Sequence, residues 1–251
     1  KKLLRRSMMI KPWIGIPTRY HDKTEYIGQI RHYVDAVLWA GGLPLLIPSV
    51  GESEIIREYV GRVHGVLLPG SPTDIDPARY GAVAHPGLGR LYAERDATDF
   101  AILDFVQGSN RPVLGICFGT QSINVHRGGS LVQDIPSLVA KHVSHDEDDE
   151  KPPARHMVRI AENSMIARLA GRSEVEVNSY HHQSVQNPGR DLRPVAFASD
   201  GVIEAVEDTT GRFVVGVQWH PERGWKDDPL SQAIFLSFIE HARLHYNECN
   251  S

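Results

Sequence analysis

At 251 residues, 41% hydrophobic and 23% charged, the chain has the length and composition for one large α/β domain or two small ones, with a sizeable core. Its 27 basic and 31 acidic residues leave a formal charge of -4, without the broad basic surface that phosphates or anionic lipid attract, so neither nucleic acid nor a membrane is an expected partner. The two cysteines, Cys117 and Cys249, lie in unlike settings, one ending an apolar run and one in a polar tail, which argues against a structural disulfide.

The chain begins with a basic stretch, but the apolar run after it is broken by Lys11 and Pro12, so no signal peptide is read. No segment approaches the roughly 18 apolar residues of a membrane span. A reducing cytoplasm, where a free thiol persists, is the expected compartment. Apolar, β-rich runs at Trp13 to Ile16, Leu43 to Ile47, Val63 to Leu68 and Val113 to Ile116 read as buried parallel strands. Between the first two, Ile27, Ile30, Val34, Val37 and Leu38 recur at helical spacing, and Gly41-Gly42 supplies a stop. Phe100, Ile102, Leu103 and Val106 mark a second helix that starts near Glu94. Strand and helix in alternation predict an α/β fold: an open, mostly parallel sheet flanked by helices.

Beyond residue 130 the strands shorten. Met157 to Ile160, Val175 to Val177, Val195 to Ala198 and Val202 to Val206 are expected to form a small antiparallel extension, with Asp200-Gly201 as a hairpin turn between the last two. His145 to Pro153, which holds five consecutive acidic residues, reads as a long loop, either plainly solvated or a lid. A last strand over Phe213 to Gln218 leads into His220, and Leu230 to His245 is a closing helix. The whole is expected to be a single domain over residues 8–247, with tails at 1–7 and 248–251.

Gly115-Ile116-Cys117-Phe118-Gly119 falls where a buried strand hands over to a helix, the pattern of a nucleophile elbow with sulfur in place of oxygen. Glycines flank the central residue because side chains there would collide with backbone around a strained turn. The positive end of the following helix favours negative charge on the sulfur. Downstream, His220-Pro221-Glu222 ends a strand with a histidine and a carboxylate across one rigid residue, fit for a base and the group that orients it. Leu67-Leu68-Pro69-Gly70-Ser71-Pro72 ends another parallel strand at the edge where open α/β sheets bind ligands. The Gly70 and Ser71 amides, with that of Phe118, are candidates to hold an oxyanion. Asn178-Ser179-Tyr180-His181-His182-Gln183 is either a solvated loop or a pocket wall, and adjacent histidines without a cysteine or carboxylate pattern do not make a metal site.

Taken in order along nearly the whole chain, these motifs resemble the class I glutamine amidotransferase family, in particular its free-standing γ-glutamyl hydrolase branch. The resemblance also takes in Ala40-Gly41-Gly42-Leu43-Pro44, Asp76-Pro77, Tyr80-Gly81, Arg95-Asp96, Gln121, Gly128-Gly129-Ser130-Leu131 and Gln218-Trp219. It implies the flavodoxin-like fold of that family, Cys117 as nucleophile, His220 as general base and acid, Glu222 as its orienting partner, and Gly70 and Phe118 as oxyanion donors. Ser71, Gln121, His181 and Gln183 are then expected to line the glutamyl pocket.

The implied reaction is hydrolysis of a γ-glutamyl amide of a small amine through a cysteinyl thioester, with no metal and no cofactor, by a chain that by family habit pairs as a homodimer. γ-Aminobutyrate, a polyamine adduct and an aromatic amine all remain open as the leaving group. Two departures bear on substrate preference: Phe118 stands where arginine is common, and Thr120 where a larger apolar residue is usual. Asp99 replaces a glutamate near Arg95-Asp96, which weakens any amine-recognition role there. Two other readings stay open: a glutaminase subunit that delivers ammonia to a partner synthase, and a non-catalytic γ-glutamyl binding protein.

Overall fold

Runs that are apolar at every position form the middle of the sheet, because a strand covered by helices on both faces has no side left for polar residues. The computed structural model describes residues 11–21, 25–145 and 154–249. The first half of the chain forms β1 (Trp13–Pro17), a hairpin of β2 (Arg19–His21) and β3 (Tyr26–Gly28), α1 (Arg31–Trp39), β4 (Leu43–Ile47), α2 (Ser53–Val60), β5 (Gly65–Leu68), α3 (Ala93–Gln107), β6 (Val113–Ile116) and α4 (Phe118–His126). The second half forms β7 (Ser130–Val132), α5 (Ile135–Leu138), β8 (Ala154–Ile160), α6 (Met165–Ala170), β9 (Glu174–Ser179), β10 (Ser184–Asn187), β11 (Leu192–Ala198), β12 (Ile203–Asp208), β13 (Val214–Val217), α7 (Pro221–Gly224) and α8 (Pro229–Cys249).

Strand order is β4-β1-β5-β6-β13-β12-β11-β8-β9, with β10 and β7 attached beside β12. The first five strands of that order run parallel; β12, β11, β8 and β9 continue the same sheet antiparallel. One core packs α1, α6 and α8 on one face through Tyr33, Val37, Ile166, Phe235 and Phe238. On the other face α2, α3 and α4 pack through Ile56, Val60, Ile102, Val106 and Ile123. The sheet is thus covered on both sides, as the alternation of strand and helix requires.

Several elements depart from expectation. Ile27 is not in the first helix: it sits exposed in β3, paired with Tyr20, and the helix starts only at Arg31. The helix α2 has no counterpart in the sequence reading; its eight residues bury only Ile56 and Val60, a pattern too short to announce itself. The strand expected from Val63 begins at Gly65, and the closing helix extends to Cys249. The Asp200-Gly201 turn does join two antiparallel strands, with Gly201 at a φ of +88° and Ala198 N–H donating to Val202 O at 2.9 Å. Of the acidic loop, residues 146–153 lie outside the described residues, as do the first ten residues.

For the site, the decisive feature is adjacency. In β5, β6 and β13, which are neighbours in that order, Leu68 pairs with Gly115 and Ile116 with Val217. The loops leaving their carboxyl ends therefore emerge side by side, carrying Gly70, Cys117 and His220.

Candidate active site

Cys117 is the residue before α4 and takes φ 51° and ψ -108°, a conformation that side-chain-bearing residues rarely hold without support. The support is steric. A Cβ on Gly119 would stand 2.1 Å from Leu68 O, and one on Gly115 would stand 2.6 Å from Ile123 Cδ1 and 2.8 Å from Gly119 backbone, so the turn closes only with glycine at both places. Hydrogen bonds fix it further: Cys117 N–H donates to Val217 O at 2.8 Å, and Thr120 Oγ1 donates to Val217 O at 2.7 Å and Gly115 O at 3.1 Å. Thr120, one of the two departures from the family pattern, thus ties the elbow to β13.

His220 follows β13 and its Nδ1 lies 2.7 Å from Glu222 Oε1. The carboxylate fixes the tautomer by accepting from Nδ1–H, which leaves Nε2 to face the reacting centre. Nε2 and Glu222 Oε2 are buried and have no hydrogen-bond partner among the described residues. Gly70 marks how tightly the groups converge: a Cβ there would stand 3.0 Å from His220 Cε1, 3.6 Å from Cys117 Cβ and 2.9 Å from the Tyr33 hydroxyl. Burial alone would lower the His220 pKa, but Glu222 and Cys117 outweigh it and raise it to about 10. The electrostatics therefore favour the protonated imidazole at His220.

Of three groups that surround His220 and Glu222, the sequence reading singled out none by itself. Asn178, at the end of β9, clamps the His220 backbone: its Oδ1 accepts His220 N–H at 2.8 Å and its Nδ2 donates to His220 O at 3.0 Å. Tyr180 packs edge-on against the His220 ring with centroids 5.3 Å apart. Tyr33, on α1, is fully buried, and burial together with the charges of Glu222 and Cys117 pushes its phenol well above the usual value, so it stays protonated. Asn178 and Tyr180 sat within a motif already singled out; nothing in the helical pattern around Tyr33 distinguished it from a core aromatic.

The Tyr33 hydroxyl also accepts the Gly70 N–H at 3.0 Å, which corrects the assignment of Gly70 as an oxyanion donor, because that amide is already engaged. The next amide, Ser71, enters no hydrogen bond among the described residues. Phe118 N–H opens α4, where the first amides of a helix lack intrahelical partners. Arg95 and Asp99 are both fully buried and pair at 2.8 Å, with Arg95 also donating to Pro69 O at 2.7 Å and lying over the Phe118 ring. This pair props the Pro69–Ser71 turn from below and has no exposed surface to offer an amine.

A cavity of about 180 Å³ opens beside Cys117, lined among others by Ser71, Phe118, Gln121, Tyr180, His181 and Gln183. It is smaller than the roughly 300–1,000 Å³ of drug-sized sites and suits one amino-acid-sized acyl group. All four expected pocket residues reach this wall, but their polar atoms are partly committed. Gln121 Nε2 donates to Gln183 O at 3.1 Å, Gln183 Nε2 to Gln133 O at 3.0 Å, and His181 Nδ1 meets Gln183 O at 2.9 Å. The adjacent histidines diverge: His182 turns to Asp74 and Asp134, at 3.0 and 3.4 Å, while His181 turns inward to buried Glu204. Burial keeps His181 below its ordinary pKa; burial works to raise that of Glu204, yet the histidines around it hold it well below the carboxylate range. No helix among the described residues is long and apolar enough to cross a membrane.

A parallel sheet flanked by helices, with three loops meeting at one carboxyl rim, is the fold of the class I glutamine amidotransferases. The solved structure of a putative GMP synthase subunit from Thermoplasma acidophilum superposes with a TM-score of 0.67 at 19% identity, covering 96% of this chain and 99% of that one. The chain belongs to the Peptidase C26 family, which matches residues 12–222. Curated relatives include the γ-glutamyl-γ-aminobutyrate hydrolase of Escherichia coli, 32% identical over 231 residues, with 86% of this chain and 87% of that protein covered. A putative glutamine amidotransferase of Mycobacterium tuberculosis is 36% identical over 203 residues, covering 80% of this chain and 65% of that protein. A putative glutamine amidotransferase-like protein of Rickettsia prowazekii is 30% identical over 251 residues, covering 85% and 88%.

Proposed function

We propose that the chain is a cysteine-nucleophile amidohydrolase that cleaves the γ-glutamyl amide of a small amine, a γ-glutamyl-γ-aminobutyrate or related compound, to glutamate and the free amine. The observation that carries this reading is the pairing of His220 Nδ1 with Glu222 Oε1 at 2.7 Å, beside a sulfur held in a strained elbow. The Cys117 thiolate attacks the γ-carbonyl, and the carbonyl electrons move onto oxygen. The Phe118 and Ser71 N–H groups donate hydrogen bonds to that oxyanion, with Ser71 taking the place first assigned to Gly70. The His220 imidazolium then gives its proton to the departing amine as the C–N bond breaks, leaving a γ-glutamyl thioester. Water enters, His220 takes one of its protons, and the hydroxide adds to the thioester; collapse expels the Cys117 thiolate and releases glutamate. Phe118 presents no charge on its side chain and packs under the rim, so leaving-group preference rests with the Tyr180–Gln183 wall.

A panel of γ-glutamyl amides assayed by glutamate release from the isolated chain tests this, with Cys117→Ala as control. Turnover without a partner, abolished in the variant, is the expected result. A second reading, the glutaminase subunit of an amidotransferase, is favoured by the relatives named as putative amidotransferases. Hydrolysis of glutamine alone, and only after a synthase is added, would replace the first reading with the second.

A further inference from the structure

Behind the pocket wall, four side chains close around a point where only His156 Nε2 and Glu204 Oε1 form a hydrogen bond. Glu204, on β12, is fully buried, and its Oε1 lies 3.3 Å from His145 Nδ1, 3.1 Å from His156 Nε2 and 3.5 Å from His181 Nε2. The three rings are buried too, with His145 centred 4.6 Å from His156 and 4.9 Å from His181. The other nitrogen of each ring faces an oxygen that only accepts. His145 Nε2 meets the Asp200 carboxylate at 2.9 Å, His156 Nδ1 the Ser144 carbonyl at 3.3 Å, and His181 Nδ1 the Gln183 carbonyl at 2.9 Å.

Those outer contacts require N–H, and a neutral imidazole carries only one. In each ring the inner nitrogen then presents a lone pair, and all three lone pairs point at a carboxylate. Protonating every ring removes the conflict at the expense of three imidazoliums packed in one buried space. His145 Nδ1, His181 Nε2 and Glu204 Oε2 are accordingly left without a hydrogen-bond partner among the described residues.

A cation resolves the arrangement. Tetrahedral ligands at about 2.0–2.1 Å from a zinc ion stand about 3.3 Å from one another, and the His145 and His156 nitrogens lie 3.3 and 3.1 Å from Glu204 Oε1. His145, His156 and Glu204 each offer a donor atom within 4.8 Å of the others, whereas His181 reaches Glu204 alone and lies outside that set. An outer N–H given to a carboxylate or backbone carbonyl is also what orients metal-bound imidazoles. We propose that His145, His156 and Glu204 bind one divalent transition-metal ion of the zinc class as a three-donor site. Three protein donors leave a fourth position for water. The ion fastens His145 to β8 and β12, and the His145 carbonyl, which accepts His181 N–H at 2.9 Å, carries that restraint to the pocket loop. The absence of a metal expected from sequence rested on His181 and His182, which do diverge; the three proposed ligands come from other, distant segments.

The test uses the full chain and its Cys117→Ala variant, each stripped with a chelator and titrated with Co²⁺ and then Zn²⁺. The expected result is one equivalent bound per chain in both, with the visible d–d absorption of tetrahedral Co²⁺, no sulfur-to-metal charge transfer, displacement by Zn²⁺, and a Tm raised by about 5 °C or more. His156→Gln and Glu204→Gln are expected to weaken binding at least about 100-fold. Should either variant fail to fold, the wild-type titration still decides. No saturable binding and no Tm shift in the wild-type chain, a sulfur charge-transfer band that marks Cys249 with His245 as the ligands, or full affinity in a folded His156→Gln chain would each overturn the proposal.

Discussion

In the parallel half of the sheet, β5, β6 and β13 are buried at every position, whereas β8 and β9 of the antiparallel half alternate between buried and exposed residues. The first pattern makes strands whose ends are fixed by packing on both faces, and from those ends come Gly70, Cys117 and His220. The second makes strands with one free face; the end of β9 carries Asn178 and the loop after it Tyr180, His181 and Gln183. The proposed reacting groups thus sit where backbone position is over-determined, and the proposed substrate wall sits where loops vary at little cost. Substitutions in the two halves are expected to fail in different ways.

The largest effect is expected from Cys117→Ala, which removes the proposed nucleophile from the rigid half. Glutamate release should fall by about 10⁴-fold or more with the Tm nearly unchanged. A variant that keeps turnover would separate the elbow from the chemistry. Glu222→Gln comes next, with kcat lower by about 10²–10⁴-fold. It also carries a pH signature. The folded-state value of His220 is raised from 6.5 to about 10, so its protonation stabilises the fold fully below about pH 6.5 and that contribution is lost as pH rises toward 10. The same deprotonation removes the acid for the departing amine, so the alkaline limb of kcat/KM should fall near pH 10 in the wild-type chain. Removing the Glu222 charge should shift that limb downward, and an unmoved limb would mean that His220 is not the group observed.

Asn178→Ala tests the antiparallel half. It deletes both hydrogen bonds to the His220 backbone, 2.8 and 3.0 Å, without touching the ring. An effect of about 10–100-fold on kcat/KM is expected, from a base held less accurately; unchanged kinetics would show that packing alone places His220. The smallest effect belongs to Thr120→Val, which loses the hydroxyl bonds to Val217 and Gly115. Urea denaturation should show about 1–2 kcal/mol of lost stability, with activity within a few-fold of wild type.

How much of this was legible in the sequence follows the same division. The run Val113–Ile116 announced itself because burial on both faces forces continuous apolar residues, whereas the equally apolar Leu43–Ile47 forms the edge strand, with Leu46 exposed. Gly115, Cys117, Gly119, His220 and Glu222 were legible because short, rigid motifs at strand ends encode their geometry locally. Ile27 misled, since an exposed isoleucine in a two-stranded hairpin happens to fall in phase with the helix that follows. The Tyr33–Gly70 hydrogen bond spans 37 positions and leaves no local trace, so the choice between the Gly70 and Ser71 amides needed coordinates. His145, His156 and Glu204 were invisible as a group for the same reason: His156 is one inward position of alternating β8, Glu204 lies in the buried stretch of β12 and His145 lies outside any strand, so no local pattern joins them.

The 2.1 Å that would separate a Gly119 methyl from Leu68 O has a consequence for redesign. Helix start and neighbouring strand are wedged together with no slack, so the sulfur and the turn that would receive the oxyanion behave as one solid piece. Libraries seeking new amine substrates should leave that seam alone and randomise the facing wall, where shape is negotiable.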